Sequence, residues 1–478
     1  MTPLERQAAT SLAGIFAFRM LGLFMILPVF SLYGETLEGS TPLLIGLAIG
    51  IYGLTQALLQ IPFGMLSDRF GRKPIIAIGL LIFAIGSVVA AMADSITGVI
   101  IGRALQGSGA IAAAVMALAA DLTREEHRTK AMAVIGMTIG MSFAISMVLG
   151  PVINGIIGVE GIFWLTAALA LGGIVLLKYR VPHPKECRFH RDAEAQPSEF
   201  KHVIADPQLL RLDYGIFILH MILTSSFVVI PLALRNYAGL ETAQHWYIYL
   251  PVMLLAIGLM VPLVIMAEKK RMMKQIFVGA IAMIMLSELL LIFVYQSVWG
   301  IFAALLIFFI AFNVLEATLP SLISKTVRQD KKGTAMGVYS SSQFLGAFFG
   351  GVLGGWLYGS VGLAAVFALC AVAAASWVFF ARGMVIPRYL TSYMVNVGEI
   401  DDERAQVLNG TFKAITGVAE AFVSTDDGIA YLKIDSNIVN WDALYEHSVD
   451  KNRVDQSATP AKKKVDTAIE QQNVGGEA

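Results

Sequence analysis

The chain has 478 residues, 56% of them hydrophobic and only 15% charged, with a formal net charge of zero. A soluble chain would carry about a quarter charged residues, so a soluble globular protein is excluded and the neutral balance gives no sign of nucleic-acid binding. Cys187 and Cys370 lie far apart in unlike segments and suggest neither a disulfide nor a metal framework.

The apolar residues fall in blocks of about 20, each long enough to cross about 30 Å of hydrocarbon at about 1.5 Å per residue. The first block, Leu12 to Tyr33, is too long for a signal peptide, lacks a small-residue cleavage site and is followed by many more. Breaks at charged or Pro/Gly-rich stretches give twelve spans at 12–33, 43–66, 74–93, 98–120, 130–153, 161–178, 212–234, 246–267, 275–295, 298–323, 334–357 and 361–382.

Basic residues cluster in loops after even-numbered spans: Arg69, Arg72 and Lys73; Arg124, Arg128 and Lys130; Lys269, Lys270, Arg271 and Lys274; Lys325, Arg328, Lys331 and Lys332. The connection 179–211 adds Arg180, Lys185, Arg188 and Arg191, whereas loops after odd-numbered spans offer Arg235 alone. The positive-inside rule then puts both termini in the cytoplasm. The halves also repeat. Gly14-Ile15-Phe16 with Arg19-Met20 returns as Gly215-Ile216-Phe217 with His220-Met221, and Ala131-Met132 with Val134 returns as Ala335-Met336 with Val338. Six spans plus six, both starting inside, indicate two bundles related by an axis along the membrane normal. The expected organisation is a bundle at 1–178, a cytoplasmic linker at 179–211 and a second bundle at 212–387.

After Pro387 the pattern changes. Short alternating runs at 393–397, 418–424 and 429–434, an acidic helix start at Asp401-Asp402-Glu403, a hairpin signal at Asp426-Asp427-Gly428 and a short helix after Asn440 predict a β-α-β-β-α order. That order suggests a small α+β, ferredoxin-like domain at 388–450, with a final strand unplaced, and the polar residues 451–478, including Lys462-Lys463-Lys464, read as a disordered tail. The domain lacks cysteine, which argues against a soft-metal site. Small-ligand sensing, contact with the membrane-embedded part of the chain and self-association remain as roles for it; the chain is otherwise expected to be monomeric.

Between spans two and three runs Gly64-Met65-Leu66-Ser67-Asp68-Arg69-Phe70-Gly71-Arg72-Lys73. It resembles the loop motif of the major facilitator superfamily. Arg103-Ala104-Leu105-Gln106-Gly107 resembles the family's span-four motif, and Gly136, Gly140, Gly150 and Pro151 resemble its antiporter motif, although Val152-Ile153-Asn154-Gly155 departs from the paired glycines that should end it. Tyr52 to Ala57, Gln60 to Gly64, Ala110 to Met116, Gly333 to Tyr339 and the appended soluble domain resemble one bacterial branch of proton-driven exporters. The resemblance implies an all-α, twelve-helix membrane protein of the bacterial inner membrane. It implies a proton-driven exporter of small molecules with no settled substrate, no enzymatic reaction and no cofactor; His220 lacks a second nearby metal ligand, and two arginines with one or two carboxylates in the cavity suit an amphipathic or anionic solute as well as an organic cation. A nutrient facilitator or symporter and a transporter-derived sensor are the alternatives.

A charge at bilayer depth costs at least about 2.5–3.5 kcal/mol on insertion scales. The ionisable residues within spans are Arg19, Arg103, His220, Glu288 and Glu316. All but Glu288 fall on spans one, four, seven and ten, which the resemblance implies line the central cavity. Counting about 1.5 Å per residue puts Arg19, His220 and Glu316 each about 10 Å from the inner face. Glu316 is therefore expected to pair with Arg19 and His220 and to exchange the proton, or else to form a permanent ion pair with Arg19. Arg103 either polarises the proton route or packs span four through Gln106. Gln56, Gln60, Asn313 and Tyr339 are candidate cavity residues, with cross-helix hydrogen bonding the other reading of the two glutamines. Glu288 is expected to make a structural hydrogen bond. Asp68 is expected at the positive end of span eleven, a contact that the resemblance implies latches the outward-facing state, and Arg72 is expected against Asp121. Gly346, Gly350 and Gly354 share one helix face and should pack closely on a neighbour.

Overall fold

The first helix, α1 (Pro3–Phe24), opens on a capping box: the Glu5 amide donates to Thr2 Oγ1 at 3.2 Å and the Thr2 amide to the Glu5 carboxylate at 2.6 Å. These bonds satisfy donors that a helix start leaves free. They let α1 begin well before the Leu12 suggested by hydropathy. It ends four residues before Pro28, whose ring would clash with the carbonyl one turn back. The short α2 (Phe30–Gly34) completes the expected first span.

The computed structural model describes residues 1–183, 194, 196–328, 331–385, 390–425, 428–435 and 438–449. The spans that follow are α3 (Pro42–Phe70), α4 (Arg72–Ala91), and a fourth span broken into α5 (Ile96–Ser108) and α6 (Ala112–Asp121). Between α3 and α4 lies Gly71 at φ +92°, a left-handed conformation that only glycine adopts at little cost. It makes the tight turn of the loop motif. The 55-residue α7 (Glu125–Tyr179) bends at Gly158, φ +71°, and supplies spans five and six. After the short α8 (Phe200–Ala205), the second half is built of α9 (Pro207–Asn236), α10 (Trp246–Lys269), α11 (Met273–Val294), α12 (Val298–Thr326), α13 (Lys332–Ser360) and α14 (Leu363–Arg382). Asp206 caps α9 by accepting from the Gln208 amide at 2.8 Å.

Among the described residues ten helical stretches are long and apolar enough to cross a membrane. One of them, 130–179, covers two expected spans, and the glycine- and serine-rich α13 is not among the ten. Every one of the twelve expected spans thus finds a helix. In the first half α1 packs on α7, and α4 on both α5 and α7; in the second, α9 packs on α13 and α14, and α11 on α12 and α14. The halves meet where α3 lies along α13 and α7 touches α10.

The α13 glycines explain both of its contacts. A Cβ at Gly346 or Gly350 would lie 2.1 or 2.3 Å from the carbonyl oxygen of Phe217 or Met221 on α9. A Cβ at Gly351 or Gly355 would lie 2.3 Å from the carbonyl oxygen of Gly46 or Pro42 on α3. Small residues let these backbones touch on two faces at once. The expected face of Gly346, Gly350 and Gly354 is therefore the α9 face, and a second glycine face joins the two halves.

The chain divides into two compact units, Met1–Arg388 and Tyr389–Ala478. The second contains β1 (Thr391–Asn396), α15 (Asp402–Ala414), β2 (Val418–Ser424), β3 (Ile429–Ile434) and α16 (Trp441–Tyr445). Its sheet has the order β1-β3-β2, antiparallel throughout, with Thr391 opposite Ile434 and Ser424 opposite Ile429. Phe412 and Leu408 of α15 pack with Val395, Ala421, Val423 and Leu432 into a core of its own. This is the expected ferredoxin-like arrangement. The Val449 amide donates to Asn396 O at 2.9 Å, on the β1 edge where the remaining strand of that fold would pair. The expected tail, the Asp426-Asp427 half of the hairpin signal, and Pro387, Lys185, Cys187, Arg188 and Arg191 lie outside the described residues.

Candidate transport site

At the end of the bundle carrying the loop motif, Arg72 is buried among three carboxylates. It bonds Asp68 across the Gly71 turn, at the end of α3; Nε donates to Asp121 Oδ2 at 3.2 Å and Nη2 to Glu194 Oε1 at 2.6 Å. Nη1 also donates to Ser67 Oγ at 3.0 Å. The expected Arg72–Asp121 pair is present. Gly64 sits close to α6, a Cβ there lying 3.2 Å from Ala113, while Arg69 stays exposed over the Phe70 ring.

Asp68 was expected at the start of span eleven. In the structure it bonds Arg72, and it is the linker that packs on that helix start. A Cβ at Gly333 would lie 2.1 Å from Glu194 O, the Gln196 amide donates to Thr334 Oγ1 at 2.9 Å, and Lys331 Nζ meets Glu199 Oε2 at 2.6 Å. Glu194 thus touches the loop motif with its side chain and α13 with its backbone. The sequence offered no signal for it, because it stands outside any periodic segment.

Inside the first half, Arg103 spends its donors locally. Nε donates to Ala48 O at 3.3 Å, Nη2 to Ile49 O at 3.4 Å and Nη1 to Gln106 Oε1 at 2.8 Å, and Gln106 donates on to Ser87 Oγ at 2.8 Å. This is the helix-packing arrangement. Arg19 donates to Tyr52 Oη at 3.0 Å and Gln56 Oε1 at 2.6 Å. The expected Arg19–Glu316 pair is not formed: α1 turns Arg19 toward α3 and α4, where Tyr52, Gln56 and the Phe83 ring enclose it. Gln60 reaches the other half instead, donating to Gly337 O at 3.2 Å.

In the second half, His220 Nε2 of α9 lies 3.2 Å from Glu316 Oε1 of α12 and 2.8 Å from Gln343 Nε2 of α13. His220 Nδ1 faces Ile216 O at 3.3 Å, one turn back on its own helix. The expected Glu316–His220 approach is therefore present. Asn313 Nδ2 and the Tyr339 hydroxyl are buried without hydrogen-bond partners. Asp213, at the edge of span seven, is a further buried carboxylate of this half. Asp213 is seven residues from His220, two turns on one face, and that spacing was its available signal. Gln343 carried none. Glu288 accepts from Ser226 Oγ at 3.0 Å, a structural hydrogen bond on a supporting helix.

Of the antiporter-motif residues, Gly150 abuts the turn after α1, with a Cβ there 2.4 Å from Met25 O, and Pro151 follows it inside α7. Gly140 faces open space. At the end of the bundle opposite the loop motif, a cavity of about 680 Å³ lies between the halves, lined in part by Tyr33, Asn154, Glu160, Arg235 and Glu241.

Two helical bundles that meet along α3 and α13, with buried ionisable side chains between their helices, make the architecture of a membrane transporter. A sequence profile of the Major Facilitator Superfamily matches residues 12–351 and 274–392, and the chain belongs to that family. It is 49% identical over 440 residues to the inner membrane transport protein YajR of Escherichia coli (strain K12), covering 92% of this chain and 96% of that protein. It is 38% identical over 351 residues to an uncharacterized transporter of Buchnera aphidicola subsp. Acyrthosiphon pisum, covering 73% of this chain and 90% of the other. Among solved structures, a bacterial homolog of the human lysosomal transporter Spinster, inward-facing and occupied, matches with a TM-score of 0.67 at 15% identity, covering 80% of this chain and 98% of that one. The protein is a membrane transporter, and its relatives are transporters rather than enzymes.

Proposed function

We propose that this transporter is a proton-coupled exporter working by alternating access in the bacterial inner membrane, with both termini cytoplasmic. The observation that carries the reading is the 3.2 Å approach of Glu316 to His220 inside the second half. A carboxyl and an imidazole held that close interact electrostatically, so the protonation of each depends on the charge of the other. Gln343, hydrogen-bonded to His220, joins this pair to α13, the helix that contacts both α9 and α3. A movement of α13 between the halves therefore changes what surrounds the imidazole, which is how proton occupancy becomes linked to conformation.

Asp68, Arg72 and Asp121 hold the inner end closed in this reading, and Asn313 and Tyr339 offer polar groups to a small, amphipathic substrate. The test is substrate-driven proton movement in proteoliposomes with Glu316→Gln. The coupling role predicts loss of proton movement with the protein still folded; proton movement equal to wild type contradicts it.

A further inference from the structure

Arg19 is 1% exposed, yet its Nε and Nη1 atoms have no hydrogen-bond partner. Its surroundings are neutral: Tyr52 Oη, Gln56 Oε1 and the Phe83 ring, whose centroid is 5.6 Å from the guanidinium carbon. A guanidinium keeps its charge at any ordinary pH. Buried without a counter-ion, it bears a large desolvation cost that the two neutral acceptors offset only in part. Arg103 shows the contrast in the same half. Its Nε, Nη1 and Nη2 atoms all donate, two of them to backbone carbonyls of α3. Arg103 is thus accounted for as a packing group, while Arg19 holds a fixed charge, fixed orientation and idle donors.

We infer that Arg19 is the binding site for the acidic group of an amphipathic organic anion. The anion would accept hydrogen bonds from Nε and Nη1 once the bundles part, since Arg19, Tyr52 and Phe83 are all buried in this state. Charge-assisted hydrogen bonds from arginine to a carboxylate, sulfonate or phosphate are among the strongest in proteins. Tyr52 and Gln56 position the guanidinium by holding Nη2, so little side-chain freedom remains to be lost when the anion arrives. In the second half Glu316 meets His220 rather than Arg19, whose bonds go to the neutral Tyr52 and Gln56. The first half thus takes the anion and the second the proton. The inference rests on the exporter reading and names its substrate class.

The test uses the full chain in lipid nanodiscs and three probes with one aromatic body: 2-naphthalenesulfonate, 2-naphthol and 2-naphthylmethylammonium. Calorimetry should rank the sulfonate tightest, by about tenfold or more over the alcohol. Arg19→Gln should erase that preference and Arg19→Lys should keep part of it. Equal binding of sulfonate and alcohol, tighter binding of the ammonium probe, or unchanged sulfonate binding by Arg19→Gln would overturn the site. Should Arg19→Gln fail to fold, the ranking on wild-type protein decides alone. A second readout separates this inference from the exporter reading. Proton flux driven by the ammonium probe without sulfonate binding removes the anion site and leaves the exporter, whereas sulfonate binding without any proton flux keeps the site and removes the exporter.

Discussion

Replacing Arg72 with methionine withdraws one cation from among Asp68, Asp121 and Glu194. Side-chain exposure ranks the three pairs, at 37% for Asp68, 0% for Asp121 and 5% for Glu194. The Asp68 pair is open enough to be screened and contributes about 0–1 kcal/mol. Removing one partner of a buried pair costs about 3–5 kcal/mol, because a charge is left in a poor solvent. The costs at Asp121 and Glu194 do not simply add, since both carboxylates share one guanidinium. The expected total is therefore about 3–5 kcal/mol, a shift of about a hundredfold or more in the equilibrium that this cluster governs. Glu194 connects the cluster to Gly333 at the start of α13, so the affected element is the inner end of that helix. The assay is maleimide labelling of Ala335→Cys, a buried position beside that contact, in a chain lacking Cys187. Arg72→Met should raise the labelling rate by about a hundredfold, Arg72→Lys by less, and Glu194→Gln by the share due to one charged hydrogen bond, about 1.5–3 kcal/mol. If labelling rate and thermal midpoint both stay at wild type, the cluster does not hold the inner end, and the argument fails.

Gly350→Val should abolish folded protein, because its Cβ alone would lie 2.3 Å from Met221 O, whereas Gly258→Ala and Gly279→Ala meet nothing within 4 Å and should leave yield unchanged or improved in size-exclusion profiles. Glu288→Gln keeps an acceptor for Ser226 and should retain transport, while Glu288→Leu should lower the thermal midpoint by the equivalent of about 1–3 kcal/mol. Phe412→Ala, at the centre of the small domain, should destabilise that unit by about 3–5 kcal/mol, seen as faster amide exchange in β1 and β3 of the full chain without loss of the spans.

The spans were legible because hydrocarbon imposes a length and a composition that few other structures share. Their ends were not. The capping box at Thr2 and the ring of Pro28 set the limits of α1, and neither acts through hydropathy. The loop motif named residues that do come together, Arg72 with Asp68 and Asp121, because helices α3 and α4 and the end of α6 are fixed by the bundle. Depth counting placed Arg19, His220 and Glu316 at one level and brought two of them together. Depth fixes height in the membrane and not rotation about the helix axis, and it is rotation that turns Arg19 toward Tyr52 and Gln56. Glu194 and Gln343 were invisible for related reasons: one lies in an aperiodic linker, and the other is an uncharged residue whose partner is on another helix.

Proton coupling through Glu316 is the claim on which the rest depends. The direct measurement is pH-dye fluorescence inside proteoliposomes, comparing wild type with Glu316→Gln and His220→Gln while a transported solute is added outside. The account predicts a solute-driven pH change in wild type, none in Glu316→Gln, and a displaced pH dependence in His220→Gln. A wild-type pH change that persists undiminished in Glu316→Gln would contradict it.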